Sequence, residues 1–203
     1  RTAVCCLSSL NLEKYNEWKD DPNMIGDVMR FLDNVLSDFI NKAPDQFKDA
    51  KYSAERERSV GLGVMGFHSF LQKKRIPLES VMAKSWNQKI FKQIDEQVNK
   101  ASKDLAEERG ACPDAAEYGY MERFSNKTAI APTASISIIC GGASPGVEPI
   151  AANSYTHKTL SGSFNVRNRY LEEILESHGK NDDETWSTIT TNQGSVSHLD
   201  FLT

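Results

Sequence analysis

The longest helical pattern in the sequence runs from about Glu79 to Arg109 and restricts the folds that the chain can adopt. Apolar residues recur at helical spacing along one of its faces: Ile90, Ile94, Val98, Ala101 and Leu105. Gly110 follows as a C-terminal stop. A helix with one apolar face must bury that face against other elements, so we expect this helix to lie along a hydrophobic core.

The first part of the chain predicts one buried strand and two further helices. The run "AVCCLSSLNL" has the apolar and small residues of a buried strand. Asp21 and Pro22 can start a helix that ends before Pro44. Another helix is predicted from about Ala54 to Lys74.

The second part mixes extended and helical patterns. "KTAIAPTASISIICGGASPG" is strand-like and is broken by Pro132, and "NSYTHKTLSGSF" is extended. Tyr170 to His178 is a short amphipathic helix closed by Gly179. These segments predict a mostly helical α/β chain.

Composition excludes several classes of protein. The 203 residues are 39% hydrophobic and carry a net charge of -4, so neither DNA nor RNA binding is expected. No apolar run is long enough to span a membrane. The four cysteines are irregularly spaced, which indicates a reducing, cytoplasmic setting rather than a disulfide framework. Both ends lack polar tails, so we expect a piece of a longer chain.

Two adjacent cysteines, Cys5 and Cys6, lie in the first predicted strand. Neighbours on a strand point to opposite faces, so only one of them can face a given pocket. A disulfide between neighbours would need a distorted peptide link. The pair is therefore not a ready-made redox couple.

The segment "GLGVMG", Gly61 to Gly66, matches the glycine spacing of a dinucleotide-binding loop. That loop must follow a buried strand, whereas the preceding "AERERS" indicates a charged helical surface. The alternative is that the glycines let helices pack closely. The four histidines have no metal-ligand spacing, so no metal site is predicted. His178 is expected to lie at the negative end of a helix.

The segment "APTASIS", Ala131 to Ser137, combines a proline with small hydroxyl residues. If a helix starts there, free N–H groups and hydroxyls meet at one spot that can bind phosphate. An ordinary Ser/Thr helix cap explains the same pattern.

Six segments resemble, in order, the large catalytic (alpha) subunit of class I ribonucleotide reductase, in a form most similar to those of tailed bacteriophages: "TAVCCLSSLNL", "VGLGVMGF", "LAEERGACP", "AIAPTASIS", "VEPIAANSYTHKTLSGSF" and "GSVSHLDFL". They span essentially the whole chain. The resemblance implies a C-terminal-half fragment in which residues 1–203 form a single partial domain. That domain would be the second half of a ten-stranded α/β barrel, truncated at both ends.

The resemblance also implies an activity, the reduction of ribonucleotides to deoxyribonucleotides. In that family a thiyl radical removes the 3′-hydrogen, and two further cysteines reduce the 2′-carbon and end as a disulfide. The family strand L-C-T-L-S corresponds to V-C-C-L-S here, which places Cys5 at a redox cysteine and Cys6 at a threonine position. Cys112 and Cys140 match no catalytic position and are predicted to be small buried residues.

The same resemblance makes Thr133, Ala134, Ser135 and Ile136 the substrate phosphate-binding positions. Relatives often have Thr or Ser at the fourth position, so Ile136 can offer its N–H but no hydroxyl, and Ser137 is a candidate replacement. We expect Thr133 to Ser135 at a helix N-terminus, and Cys5 on a strand next to the loop at Pro132.

Other components of the reaction are expected outside this chain. No N-x-C-x-E radical loop occurs in it, and the first redox cysteine precedes this region in the family, so the fragment alone is expected to be inactive. The resemblance implies partners: the other parts of the large subunit, a small subunit with a radical-generating metal cofactor, thioredoxin or glutaredoxin, and a ribonucleotide. ATP and dNTP effectors would bind elsewhere.

A second hypothesis stays open. The chain could be a stand-alone nucleotide-phosphate-binding or structural module without catalysis. Such a binding module would bind a nucleoside diphosphate without any partner, whereas a piece of a larger enzyme would need the other part.

Overall fold

The computed structural model describes residues 1–159 and 162–202. The chain divides into two compact units, Arg1–Glu148 and Pro149–Thr203. That both belong to one partial domain stays a prediction.

The first unit is mainly helical around a small parallel sheet. Its elements in chain order are β1 (Leu7–Asn11), α1 (Tyr15–Trp18), α2 (Met24–Lys42), α3 (Lys48–Glu57), β2 (Gly61–Met65), α4 (Phe67–Lys73), α5 (Val81–Arg109), α6 (Pro113–Glu117) and α7 (Ile136–Ile139). Single turns of 3-10 helix cover Leu12–Lys14 and Asp45–Phe47.

Strands β1 and β2 pair in parallel, with Leu7 opposite Gly61 and Asn11 opposite Met65. On the other side of β2, Leu62 forms a single parallel bridge with Thr128. Parallel neighbours need a crossover connection, which α2 and α3 supply between β1 and β2. This arrangement confirms the predicted mostly helical α/β class.

The core of this unit forms where α2 packs against α5 and both cover the strands. All five apolar positions predicted for the long helix are buried: Ile90, Ile94, Val98, Ala101 and Leu105. The Ser80 Oγ accepts from Ala83 N at 3.1 Å to cap the start of α5, and Gly110 ends it with a φ of +86°. The predicted helix is therefore confirmed.

The helix predicted over 54–74 is wrong, because this region contains α3, β2 and α4. Arg58 ends α3 in the left-handed conformation, with φ of +43°. Every residue of β2 is buried, and a strand covered on both faces lacks the polar alternation that identifies a strand in a sequence. The Gly61–Gly66 motif is thus mostly a strand, not a loop that follows one.

The first predicted strand is shorter than expected, since β1 begins at Leu7 and not at Ala3. Its partner β2 begins only at Gly61, whose N–H donates to the Cys6 carbonyl at 2.9 Å. Around Pro132 the expected extended run is reduced to the bridge at Thr128, followed by the short helix α7.

The second unit contains β3 (Ser154–Thr159), β4 (Gly162–Arg167), α8 (Arg169–Ser177), α9 (Asp183–Thr191) and a 3-10 turn at Asp200–Leu202. Strands β3 and β4 form an antiparallel pair that confirms the extended prediction, although Leu160 and Ser161 lie outside the described residues. Helix α8 agrees with the predicted Tyr170–His178, and the His178 Nδ1 lies 2.9 Å from the Ile174 carbonyl. Helix α9, capped by Asp182, was not predicted.

Within residues 1–159 and 162–202, no helix has the length and apolar character needed to cross a membrane.

Candidate active site at the ends of the parallel strands

The two neighbouring cysteines face opposite environments. Cys5 is exposed, whereas Cys6 is 9% exposed and its thiol donates to the Leu32 carbonyl of α2 at 3.6 Å. Burial raises the pKa of the Cys6 thiol, which makes the reactive thiolate harder to form. The predicted division into one accessible and one packed thiol is confirmed, although both residues precede β1.

One face of the sheet carries small residues, and at β2 it is covered by the segment at Ala129. Leu7 lies on this face and is 47% exposed, whereas Leu10 on the opposite face is buried in the core. Gly61 and Gly63 lie opposite Leu7 and Ser9, and both glycines are buried. A Cβ on Gly63 would lie 2.1 Å from the Ala129 carbonyl oxygen, so glycine is required for this close approach.

Strand β2 separates β1 from the segment that leads to Pro132. Leu62 N donates to the Lys127 carbonyl at 2.9 Å, on the side of β2 away from β1. The loop that follows Pro132 contacts the carboxyl end of β1 instead, where the Asn11 Nδ2 donates to the Cys140 carbonyl at 3.3 Å, whereas Cys5 precedes the amino end of that strand. The loop that follows Pro132 thus reaches β1 at its end and not along its edge.

The predicted phosphate-binding residues precede a single helical turn. Ser135 occupies the N-cap position of α7, which confirms the predicted location of Thr133 to Ser135 at a helix start. In the described part of the chain, the N–H groups of Ala134, Ser135 and Ile136 make no hydrogen bond. These three N–H groups and the hydroxyl of the exposed Ser135 are the hydrogen-bond donors that the turn has available for an anion.

The hydroxyls of this segment have different surroundings. Thr133 is buried with a φ of +54°, and its Oγ1 accepts from Gly146 N at 2.8 Å, so it shapes the loop. Ser137, expected to replace the hydroxyl missing at Ile136, is instead buried and lies 3.5 Å from the Ala134 carbonyl. That expectation is wrong, because the short turn directs Ser137 into the protein.

The remaining cysteines behave differently from each other. Cys112 is fully buried, as predicted. Cys140 was predicted to be buried and is exposed. It ends α7 and precedes Gly141 and Gly142, which have φ values of +92° and +72° and leave no covering side chain.

A buried ion cluster centred on Asp33 lies close to Cys6. The Asp33 carboxylate on α2 is inaccessible to solvent and accepts hydrogen bonds from three arginines, Arg58, Arg109 and Arg123. Burial alone would raise the pKa of Asp33, but hydrogen bonds from Arg123 and Arg109 and the charge of Arg58 hold it below its ordinary value. Asp33 therefore stays ionised and ties four segments together.

Three residues that anchor the candidate loop were not identified from the sequence: Asn11, Ser69 and Ser144. Ser69 and Ser144 are 75 positions apart, and Asn11 and Cys140 are 129 apart. Local spacing carries no signal for such pairs. Within residues 1–159 and 162–202, no group of three His, Cys, Asp or Glu side chains could hold a metal ion.

Comparison with known proteins identifies the family. The family model for the ribonucleotide reductase barrel domain matches residues 1–122 and 113–203. The ribonucleoside-diphosphate reductase large subunit of Invertebrate iridescent virus 6 is 51% identical over 201 residues, covering 98% of this chain and 21% of the relative. That of Invertebrate iridescent virus 3 is 45% identical over 206 residues, covering 100% and 32%.

A solved structure agrees with these sequence matches. The class Id ribonucleotide reductase alpha subunit of Actinobacillus ureae superposes with a TM-score of 0.88 at 40% identity. The match covers 98% of this chain and 36% of that subunit, so the chain spans about a fifth to a third of the length of its relatives. The chain belongs to the ribonucleotide reductase family and forms part of the α/β barrel of its large subunit.

Proposed function

We propose that this chain is the part of a ribonucleoside-diphosphate reductase large subunit that supplies one redox cysteine, Cys5, and the substrate phosphate loop, Thr133 to Ile136. The observation that carries the proposal is the contrast between the exposed Cys5 and the buried Cys6. The position of the loop supports the phosphate-binding part, because parallel α/β sheets bind ligands at the carboxyl ends of their strands, whereas Cys5 precedes the amino end of β1.

The proposed chemistry uses two thiols per turnover. After a thiyl radical elsewhere in the subunit has removed the 3′-hydrogen, the 2′-hydroxyl leaves as water and a hydrogen replaces it on C2′. Cys5 and a second cysteine outside this chain supply the two electrons and become a disulfide, while the 3′-hydrogen returns to carbon. Thioredoxin or glutaredoxin then reduces the disulfide by thiol exchange.

Residues of this chain have two tasks in that scheme. Cys5 must reach the ribose from its exposed position ahead of β1. The unpaired N–H groups of Ala134, Ser135 and Ile136 would hold a phosphate by hydrogen bonds that need no positive side chain. The radical-generating small subunit, the effector sites and a cytoplasmic location belong to the same proposal.

The test compares two matched cysteine variants in the full-length large subunit. Cys5→Ser should abolish deoxynucleotide formation, because an alcohol cannot form the disulfide. Cys6→Ser should retain most of the turnover, since serine is close in size and can also donate to the Leu32 carbonyl. Thiol counting after a single turnover should show the loss of the Cys5 thiol in the unaltered subunit.

Two outcomes would contradict the proposal. Near-normal turnover by Cys5→Ser would show that Cys5 is not a redox cysteine. Tight binding of a nucleoside diphosphate by the isolated chain of 203 residues would favour the alternative of a stand-alone phosphate-binding module.

A further inference from the structure

Helix α4 receives its N-terminal cap from a distant part of the chain. The residue at its N-cap position, Gly66, has no side chain that could accept a hydrogen bond. The third N–H of the helix, that of Ser69, donates instead to the Ser144 Oγ at 3.1 Å. In return, Ser144 N donates to the Ser69 Oγ at 2.9 Å. The two serines exchange hydrogen bonds as in a capping box, but between segments 75 residues apart.

This exchange is inaccessible to solvent and has a third component. Ser69 is 3% exposed and Ser144 is fully buried. Gly66 N donates to the Ser144 carbonyl at 2.7 Å, so the N–H, carbonyl and hydroxyl of Ser144 are all held by the start of α4. Gly66 has a φ of +77°, and a Cβ there would lie 2.8 Å from the Asn11 Oδ1. The start of α4 therefore holds Ser144 in place through three hydrogen bonds.

The residues next to Ser144 in the chain connect the start of α4 to the candidate phosphate loop. Ala143 N donates to the Ser137 carbonyl at 3.0 Å, and Gly146 N donates to the Thr133 Oγ1 at 2.8 Å. Both ends of the turn are therefore tied to residues on either side of Ser144. Thr133 has a φ of +54°, which costs free energy for a β-branched residue and persists only where the surroundings enforce it.

We propose that Ser69 and Ser144 are positioning residues that hold the 133–136 turn in its anion-binding conformation before substrate arrives. This inference rests on the proposed phosphate-binding function of that turn. Preorganisation matters here because three N–H groups would have to bind the same phosphate. If the turn were flexible in the free protein, the free energy needed to order it would reduce the affinity for the phosphate. Neither serine contacts the substrate in this scheme.

The test uses Ser69→Ala and Ser144→Ala in the full-length large subunit. Each variant removes one hydroxyl and leaves a buried N–H without its acceptor. Ser102→Ala is the matched control, because Ser102 on α5 is also fully buried and its Oγ accepts from Arg123 N and Phe124 N at 3.1 and 3.4 Å. Calorimetry measures the affinity for a substrate nucleoside diphosphate and for the nucleoside without phosphate, and thermal unfolding measures stability.

All three variants should lower the unfolding temperature. Only Ser69→Ala and Ser144→Ala should weaken binding of the diphosphate, by about tenfold, while the affinity for the nucleoside stays unchanged. A purely structural role would lower both affinities together, as general loosening of the site does.

The outcomes separate this inference from the proposed function. A phosphate preference that survives in both Ser69→Ala and Ser144→Ala overturns the positioning role and leaves the phosphate site intact. An equal loss of affinity for both ligands also overturns it. Equal binding of nucleoside and diphosphate by the unaltered subunit overturns the phosphate-site assignment itself.

Discussion

The Arg58 Nη2 lies 2.7 Å from the Asp33 Oδ1, and both side chains are buried close to Cys6. Arg58 ends α3 and Asp33 lies on α2, so the pair joins the two helices of the crossover between β1 and β2. Arg109 and Arg123 bind the same carboxylate. One ionised group thus joins α2, the end of α3, the end of α5 and the segment at Arg123.

Asp33→Asn should strongly destabilise the subunit. The substitution leaves three arginines around a neutral amide, and loss of one partner of a buried ion pair costs about 3–5 kcal/mol. Urea unfolding of the full-length subunit measures this change. Asp104→Asn is the control, because its ion pair with Lys100 is exposed and should contribute about 0.5 kcal/mol or less. Equal effects of the two substitutions would contradict the role of Asp33.

The stability that Asp33 contributes should depend on pH. Its pKa is lower in the folded chain than its ordinary value of 3.8, so the folded state favours the ionised form. The contribution is therefore present above that ordinary value and is lost as the pH falls through the folded pKa. The difference in unfolding free energy between Asp33→Asn and the unaltered subunit should be constant from about pH 5 to 7 and shrink below about pH 4. A constant difference down to pH 2 would contradict this.

Gly63→Ala should disturb the packing of β2 against the segment at Ala129. The added Cβ would lie 2.1 Å from the Ala129 carbonyl oxygen, so backbone must move, and such overpacking costs about 1–3 kcal/mol. Gly26→Ala on α2 is the matched control, because nothing lies within 4 Å of its added Cβ. That change should be neutral or stabilise by up to about 1 kcal/mol. Thermal unfolding of both variants checks the contrast, and equal melting temperatures would refute it.

Ser135→Ala should weaken substrate binding through its phosphate group. Ser135 is exposed at the N-cap of α7, and a hydrogen bond to a charged group contributes about 1.5–3 kcal/mol. Calorimetry on the full-length subunit should show weaker binding of the nucleoside diphosphate and unchanged binding of the nucleoside. Unchanged diphosphate affinity would mean that the Ser135 side chain is not a ligand.

Much of the helical framework could be predicted from local sequence. Helix α5 was found with its buried face because apolar residues recur over many turns and Gly110 marks the end. Helix α2 begins near the predicted Pro22 start and ends before Pro44. Cys5 and Cys6 have the opposite environments expected of neighbours in an extended segment, although both precede β1. Such features depend on neighbours within a few positions, which the sequence contains.

Other features were decided by residues far apart in the chain. Strand β2 was missed because its glycines and apolar residues show no alternation, and only burial between β1 and the segment at Thr128 makes it a strand. Cys140 is exposed because Gly141 and Gly142, which turn the chain back at the end of α7, have no side chains to cover it. The conformation of Thr133 is maintained by Gly146, and that of Ser144 by Ser69.

The sequence by itself determined which residues we propose for the site: a pair of adjacent cysteines and a proline-led turn of small hydroxyl residues. Tertiary structure decided how they are presented, because the hydrogen bonds that set the loop join Asn11 to Cys140 and Ser69 to Ser144 across 129 and 75 positions. A local pattern specifies helix starts and strand faces, since those depend on adjacent backbone groups. The position of the loop after Pro132 at the end of β1 depends on contacts between distant residues, and these contacts form only when the chain folds.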